Sequence, residues 1–169
     1  VEDTRCSARG QYAQLSELLT ASASGLVLGR ATAGEPAECR IGAALRPKAG
    51  ETVCGDTVVS FRTESGLLCL LLADGMGSGE AARRESALTC RLLEQFLQAG
   101  IEPEAAMKTL NAAMALRGAE TGSFTTIDLL TCRPESGELS FYKYGAAPSY
   151  VKKGGTVRRI SGATRRCPM

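Results

Sequence analysis

Three glycines within five residues, Gly75-Met76-Gly77-Ser78-Gly79, close an apolar run and stand directly before a helical pattern. This junction restricts the fold more than any other stretch: glycine leaves no side chain to pack and admits unusual φ/ψ, so a strand ending at Asp74 cannot continue. Upstream, Cys54 to Asp74 holds two apolar runs separated by Arg62-Thr63-Glu64-Ser65-Gly66. That pattern predicts two antiparallel strands joined by a short turn containing glycine. Folding the hairpin about Ser65 sets Asp56 opposite Asp74 or one residue away from it. Directly opposed side chains have Cβ atoms roughly 4.5–5.5 Å apart, where two carboxylates repel unless something positive sits between them. A divalent metal would supply that charge.

The remaining pattern surrounds this hairpin. With 169 residues the chain allows one domain with a short extension and is long enough for a sizeable core. From Ser7 to Leu28, Tyr12, Leu15, Leu18 and Leu19 recur at helical spacing, predicting a helix that either regulates the domain, pairs with a second copy or simply covers core. Ala31 to Glu38, with Gly34 and Pro36, reads as a linker, so residues 1–34 form an N-terminal regulatory segment and 35–169 the compact domain. A first strand is expected over Glu38 to Leu45, with a turn at Pro47 to Gly50. Beyond Gly79, Ala81, Ala82, Ala87, Leu88, Leu92, Leu93, Phe96 and Leu97 predict a long helix closed by Gly100. A second helix runs from Pro103 through Met107, Leu110, Met114 and Leu116 to Gly118. Strands follow over Ser123 to Cys132, Glu138 to Tyr144, Ser149 to Lys152 and Thr156 to Ile160, separated by turns at Pro134 to Gly137 and at Gly154-Gly155. Strands, two helices, then more strands indicate an α+β fold with largely antiparallel sheets and both helices on one face.

Composition narrows the chemistry. A net charge of +2 from balanced acids and bases does not call for nucleic acid, and no apolar run approaches the roughly 18 residues of a spanning helix. Glu2 and Asp3 open a sequence without a secretory pattern, so a soluble, cytoplasmic chain is expected. The seven cysteines are scattered, never form C-x-x-C, and read as small core residues of a reduced compartment. Histidine is absent, which removes imidazole ligands, a Ser-His-Asp triad and the commonest general base together. Any metal must be held by oxygen.

Two carboxylates with glycine carbonyls suit hard cations such as Mg²⁺ or Mn²⁺. A pair of such ions can lower the pKa of a shared water and neutralise a phosphoryl group under attack, so metal-assisted phosphate hydrolysis fits. Aspartate before glycine at a strand end is more often turn chemistry than a ligand, and spacing alone leaves both readings open. Gly77-Ser78-Gly79-Glu80-Ala81-Ala82 also matches G-x-G-x-x-A between a strand and a helix, the setting of a dinucleotide phosphate turn. Two features weigh against it: Asp74 and Glu80 would face a pyrophosphate with negative charge, and a second helix follows where a parallel strand is needed. Asp128, with Phe124, Thr126 and Leu130 on its face, either extends the acidic site or is solvated or hydrogen-bonded. Arg158-Arg159 and Arg165-Arg166 either meet phosphate or an acidic partner, or form a solvated strand edge and tail. Thr125 and Thr126 are simplest as β-formers, and Ser78 lacks a base to make it a nucleophile.

Gly55-Asp56, Ala73-Asp74-Gly75-Met76-Gly77-Ser78-Gly79 with its long helix, Thr125-Thr126-Ile127-Asp128-Leu129, and Gly145 through Gly154 together carry a family resemblance. The chain resembles the phosphatase domain of the stage II sporulation protein E family, among the PP2C-like (PPM) metal-dependent serine/threonine phosphatases. The resemblance covers most of Glu38 to Met169 and implies an αββα sandwich. It implies Asp56 and Asp74 as metal-bridging, catalytic carboxylates, the Gly75 backbone carbonyl as a further ligand, and two Mn²⁺ or Mg²⁺ ions in the complete domain. The implied partner is a phosphoserine protein of the anti-anti-sigma factor class, whose dephosphorylation releases a sigma factor. The helices after Gly79 are implied to act as a switch coupling dimerisation or partner contact to metal recruitment, in a parent protein compatible with membrane anchoring. Family members carry further aspartates toward the C-terminus, whereas this chain stops at Cys167-Pro168-Met169. The expectation is therefore a C-terminally truncated domain with half of a dinuclear site and sheet edges open to homodimerisation. The competing expectation is a non-catalytic interaction or dimerisation module.

Overall fold

The computed structural model describes residues 39–121, 124–162 and 164–168. The helix expected over Ser7 to Leu28 and the linker Ala31 to Glu38 lie outside the described residues. The predicted hairpin forms from β1 (Asp56–Arg62) and β2 (Leu68–Gly75), with Thr63 N–H donating to Leu67 O and Gly66 N–H to Thr63 O in the turn. Two helices follow, α1 (Gly79–Gln98) and α2 (Pro103–Thr121). The chain then returns as β3 (Thr125–Arg133), β4 (Glu138–Tyr144), β5 (Ser149–Lys153), β6 (Thr156–Ile160) and β7 (Thr164–Pro168). Strands β1-β2-β3-β4-β7 make one antiparallel sheet of five, and β5-β6 make a second sheet of two.

Strand alternation sends two sets of side chains to opposite faces of the larger sheet. On the inner face, Cys69, Leu71, Ala73, Ile127, Leu129 and Tyr142 are buried against the helices, with Val59 and Phe61 beside them. Helix α1 meets them with Ala82, Ser86, Thr89, Cys90, Leu93 and Leu97, at helical intervals of one to four, and α2 with Ala106, Met107 and Leu110. Each fully buried leucine here stabilises the fold by roughly 1.5–3 kcal/mol. Leu116, assigned to the apolar stripe by spacing, is instead 61% exposed, because the packed stripe of α2 runs through Met107, Leu110 and Met114, and a position two residues beyond Met114 turns away from it. Between the helices Gly100 takes a φ of 80°, letting its N–H reach Leu97 O while Ile101 N–H reaches Phe96 O. The expected glycine stop is thus a left-handed cap.

On the outer face, Ile160 and Val151 of the β5-β6 hairpin pack on Phe141, Leu130 and Leu139. A groove of about 450 Å³ opens beside this cluster, lined in part by Leu70, Leu72 and Tyr150. Among the described residues no helix is long and apolar enough to cross a membrane.

Two further sequence expectations fail. No strand forms over residues 39–48, where every residue is exposed: Ile41 and Leu45 are the only large apolar side chains there, too little surface to hold an edge. Conversely, Arg165-Arg166 belong to no loose tail but to β7, paired with Phe141 and Ser140 of β4. The run Thr164-Arg165-Arg166-Cys167-Pro168 has no apolar alternation to announce a strand, and its order comes from the backbone groups that β4 offers along its edge. Burial of Cys69, Cys90 and Cys132 agrees with small core cysteines, while Cys39 is exposed and Cys54 half-buried.

Candidate metal centre

The register places Asp56 directly opposite Asp74 at the open end of the hairpin, with Thr126 next in the row on β3. Even-numbered residues of β1, β2 and β3 share the outer face, so both carboxylates lie on the side away from the helices. Loss of hydration, a hydrogen bond with Asp56 and the negative charge of Asp56, in that order, hold the Asp74 carboxyl above the usual carboxylate range. Among the described residues neither aspartate forms an ion pair with lysine or arginine. The pair is therefore short of positive charge.

Gly75 shows why this strand end must be glycine. A Cβ there would lie 2.2 Å from the carbonyl oxygen of Ala82, within backbone that cannot turn aside. At Gly55 a Cβ would come within 2.9 Å of the Ala82 side chain and 3.8 Å of the Gly75 carbonyl oxygen. The Gly75 carbonyl thus faces the backbone just before Asp56, in a space that a larger residue would fill. An oxygen-only set of two opposed carboxylates with that carbonyl nearby fits a hard divalent cation. Among the described residues no third Asp, Glu, Cys or His joins them in a metal-holding group.

Helix α1 clamps the start of β1 through residues that apolar patterning passes over. Arg83 donates to the Asp56 backbone carbonyl at 2.6 Å, and the Ser86 hydroxyl donates to Gly55 O at 2.6 Å while meeting Thr57 Oγ1 at 2.6 Å. The Cys90 thiol reaches Thr57 O at 3.7 Å. Ala82, Ser86 and Cys90 recur every four residues, so the helix's buried stripe extends through polar positions. A serine on that stripe was the available signal. Glu51, also unmarked by sequence, accepts a hydrogen bond from Ser78 Oγ at 2.6 Å, which occupies the hydroxyl at the helix start.

Asp128 does not extend the acidic pair. It shares the outer face with Asp74, one pleat along β3, but its carboxylate is bonded by Lys143 and by Ser149 Oγ at 2.9 Å. The Lys143 ammonium is almost wholly buried and also donates to Ser149 at 2.8 Å, so this aspartate is neutralised where it stands. Thr125 and Thr126 are strand residues, and Arg158-Arg159 are exposed on β6.

The α+β fold, with antiparallel sheets and helices packed on one face, is PP2C-like by its likeness to solved structures. It superimposes on the PP2C phosphatase domain, with a fragment of the regulatory domain, of the cell fate determinant SpoIIE from Bacillus subtilis. The TM-score is 0.66 at 26% identity, covering 75% of this chain and 41% of that one. RsbX in complex with magnesium shares the fold at TM-score 0.60 and 22% identity, over 74% and 65% of the two chains. The family model of stage II sporulation protein E matches residues 64–169. Stage II sporulation protein E from Priestia megaterium is 37% identical over 122 residues, 72% of this chain and 21% of the relative. Its Bacillus subtilis counterpart is 33% identical, over 72% and 15%. The chain belongs to the stage II sporulation protein E family and spans about a fifth or less of these curated relatives.

Proposed function

We propose that Asp56, Asp74 and the Gly75 carbonyl hold Mn²⁺ or Mg²⁺ as part of a PP2C-type protein serine phosphatase site. The uncompensated Asp56–Asp74 pair carries this reading. When bound, the ions supply Lewis-acid activation of water and charge neutralisation of the phosphoryl group. The chain's own residues orient that site: Arg83 and Ser86 fix the backbone on either side of Asp56, and Ala82 sets the Gly75 peptide. Movement of α1 would then be felt directly at the ligands, which supports a switch role for this helix. The substrate is a phosphoserine on a small regulatory protein of the anti-anti-sigma factor class, in sporulation sigma-factor control. The setting is cytoplasmic, and homodimerisation accompanies regulation.

Mn²⁺ titrated into this chain and followed by calorimetry should bind, and Asp74→Asn should weaken that binding at least about tenfold. The full-length domain should release phosphate from the phosphoserine protein only with metal, and Asp74→Asn should abolish this. Full activity in that variant would refute the assigned role. The limit of two carboxylates among the described residues favours a second reading, a non-catalytic interaction module. Under it, neither chain nor domain binds Mn²⁺, while self-association by sedimentation persists.

A further inference from the structure

Cys39 and Cys132 are 93 positions apart in sequence, yet their Sγ atoms lie 3.8 Å apart. The two sites differ in the way a reactive pair requires. Cys39 is exposed, at the head of residues 39–48, which form neither helix nor strand, whereas Cys132 is buried on the outer face near the end of β3. Its row there runs Arg62, Leu68, Cys132, Leu139, Cys167 across the five strands. A disulfide needs its sulfurs about 2.05 Å apart, and the irregular segment bearing Cys39 can supply the approach without breaking a ladder. Three other cysteines have different surroundings: Cys69 and Cys90 point their thiols at backbone carbonyls inside the sheet–helix layer, and Cys54 faces Asp56. Burial, then the hydrogen bond and charge of Cys39, push the Cys132 thiol up to about 11, so at neutral pH it keeps its proton until bond formation with Cys39 hands that proton to the departing oxygen.

We propose that Cys39 and Cys132 form a hydroperoxide-responsive dithiol whose closure ties the segment entering the domain to the far end of the main sheet. The exposed Cys39 sulfur attacks a hydroperoxide oxygen, breaking the O–O bond, and becomes a sulfenic acid as water or an alcohol leaves. The Cys132 sulfur then attacks Cys39 Sγ, the S–S bond forms, and the sulfenic oxygen leaves as water with the Cys132 proton. In sum, two thiols are oxidised to one disulfide and one hydroperoxide is reduced. The loop so closed contains β1, β2, both helices and β3, and a loop of that length strongly restricts the unfolded chain. The Cys132 row lies six residue pairs from the Asp56–Asp74 row, about 20 Å along the strands, so the tether leaves the carboxylates alone.

The full chain is treated with hydrogen peroxide, alkylated in denaturant and mapped by non-reducing peptide mass spectrometry. A Cys39–Cys132 linked peptide should dominate, and the melting temperature should rise by about 5–15 °C. Dithiothreitol should reverse both changes, and Cys39→Ser, at an exposed site, should lack both while folding normally. In Cys132→Ala the sulfenic acid on Cys39 should accumulate and be trapped by a dimedone probe. Linkage of Cys39 to another cysteine, an equal melting shift in Cys39→Ser, or oxidation of Cys39 without linkage in the unsubstituted chain would overturn the proposal.

Discussion

Asp74 and Asp128 occupy the same face of the same sheet on neighbouring strands, and one pleat separates their rows. Asp128 meets a buried lysine and a serine hydroxyl, so its charge is cancelled within the fold. Asp74 meets another aspartate, so the fold leaves charge unbalanced at the hairpin's open end. A protein gains nothing in stability from the second arrangement. Like charges this close are tolerated where something outside the chain completes them, and that contrast separates a structural carboxylate from a ligand.

The contrast can be broken first at its structural half. Lys143→Met should cost about 3 kcal/mol in urea denaturation, because it strands the Asp128 carboxylate without its cation. Adding Asp128→Leu should recover most of that loss. A double variant as unstable as the single one would show that Lys143 matters by packing alone.

Gly75→Ala tests whether the site's backbone is as tightly held as the Ala82 carbonyl suggests. The clash should destabilise the chain by about 2–3 kcal/mol in the same assay. An unchanged midpoint would mean that α1 yields, and that it cannot act as a rigid clamp.

Smaller, and opposite in sign, is Asp74→Asn without metal. Relieving the repulsion should raise stability by about 0.5 kcal/mol, modest because Asp74 is exposed to screening solvent. The pH dependence follows from what raises the Asp74 carboxyl, loss of hydration first and then the hydrogen bond and charge of Asp56. Because the folded carboxyl titrates above its unfolded value, its favourable contribution is complete below about pH 4 and is lost as pH rises through the raised folded value. In chelator, this contribution should fall with pH in the unsubstituted chain and vanish in Asp74→Asn. A stability loss on removing Asp74 would make it a structural residue like Asp128.

Much of this layout was legible in the amino-acid order because it is local. The hairpin, its turn and its register within one residue follow from two apolar runs around Arg62 to Gly66. The glycine stop after Asp74 and the helix beyond it follow from side-chain spacing. Absence of histidine together with scattered cysteines, both matters of composition and spacing, restricts any metal to oxygen donors. Tertiary structure decided the rest, because it rests on pairs that sequence does not bring together. Asp128 finds Lys143 only through the register of β3 against β4, and Cys39 finds Cys132 only through the return of a distant segment. Gly75 is obligatory only because the backbone of Ala82 lies behind it. Strand β7 exists because β4 offers an edge, not because its residues alternate. Sequence alone determined that two aspartates would share one end of a hairpin; only the packed sheet decided which aspartates keep their charge.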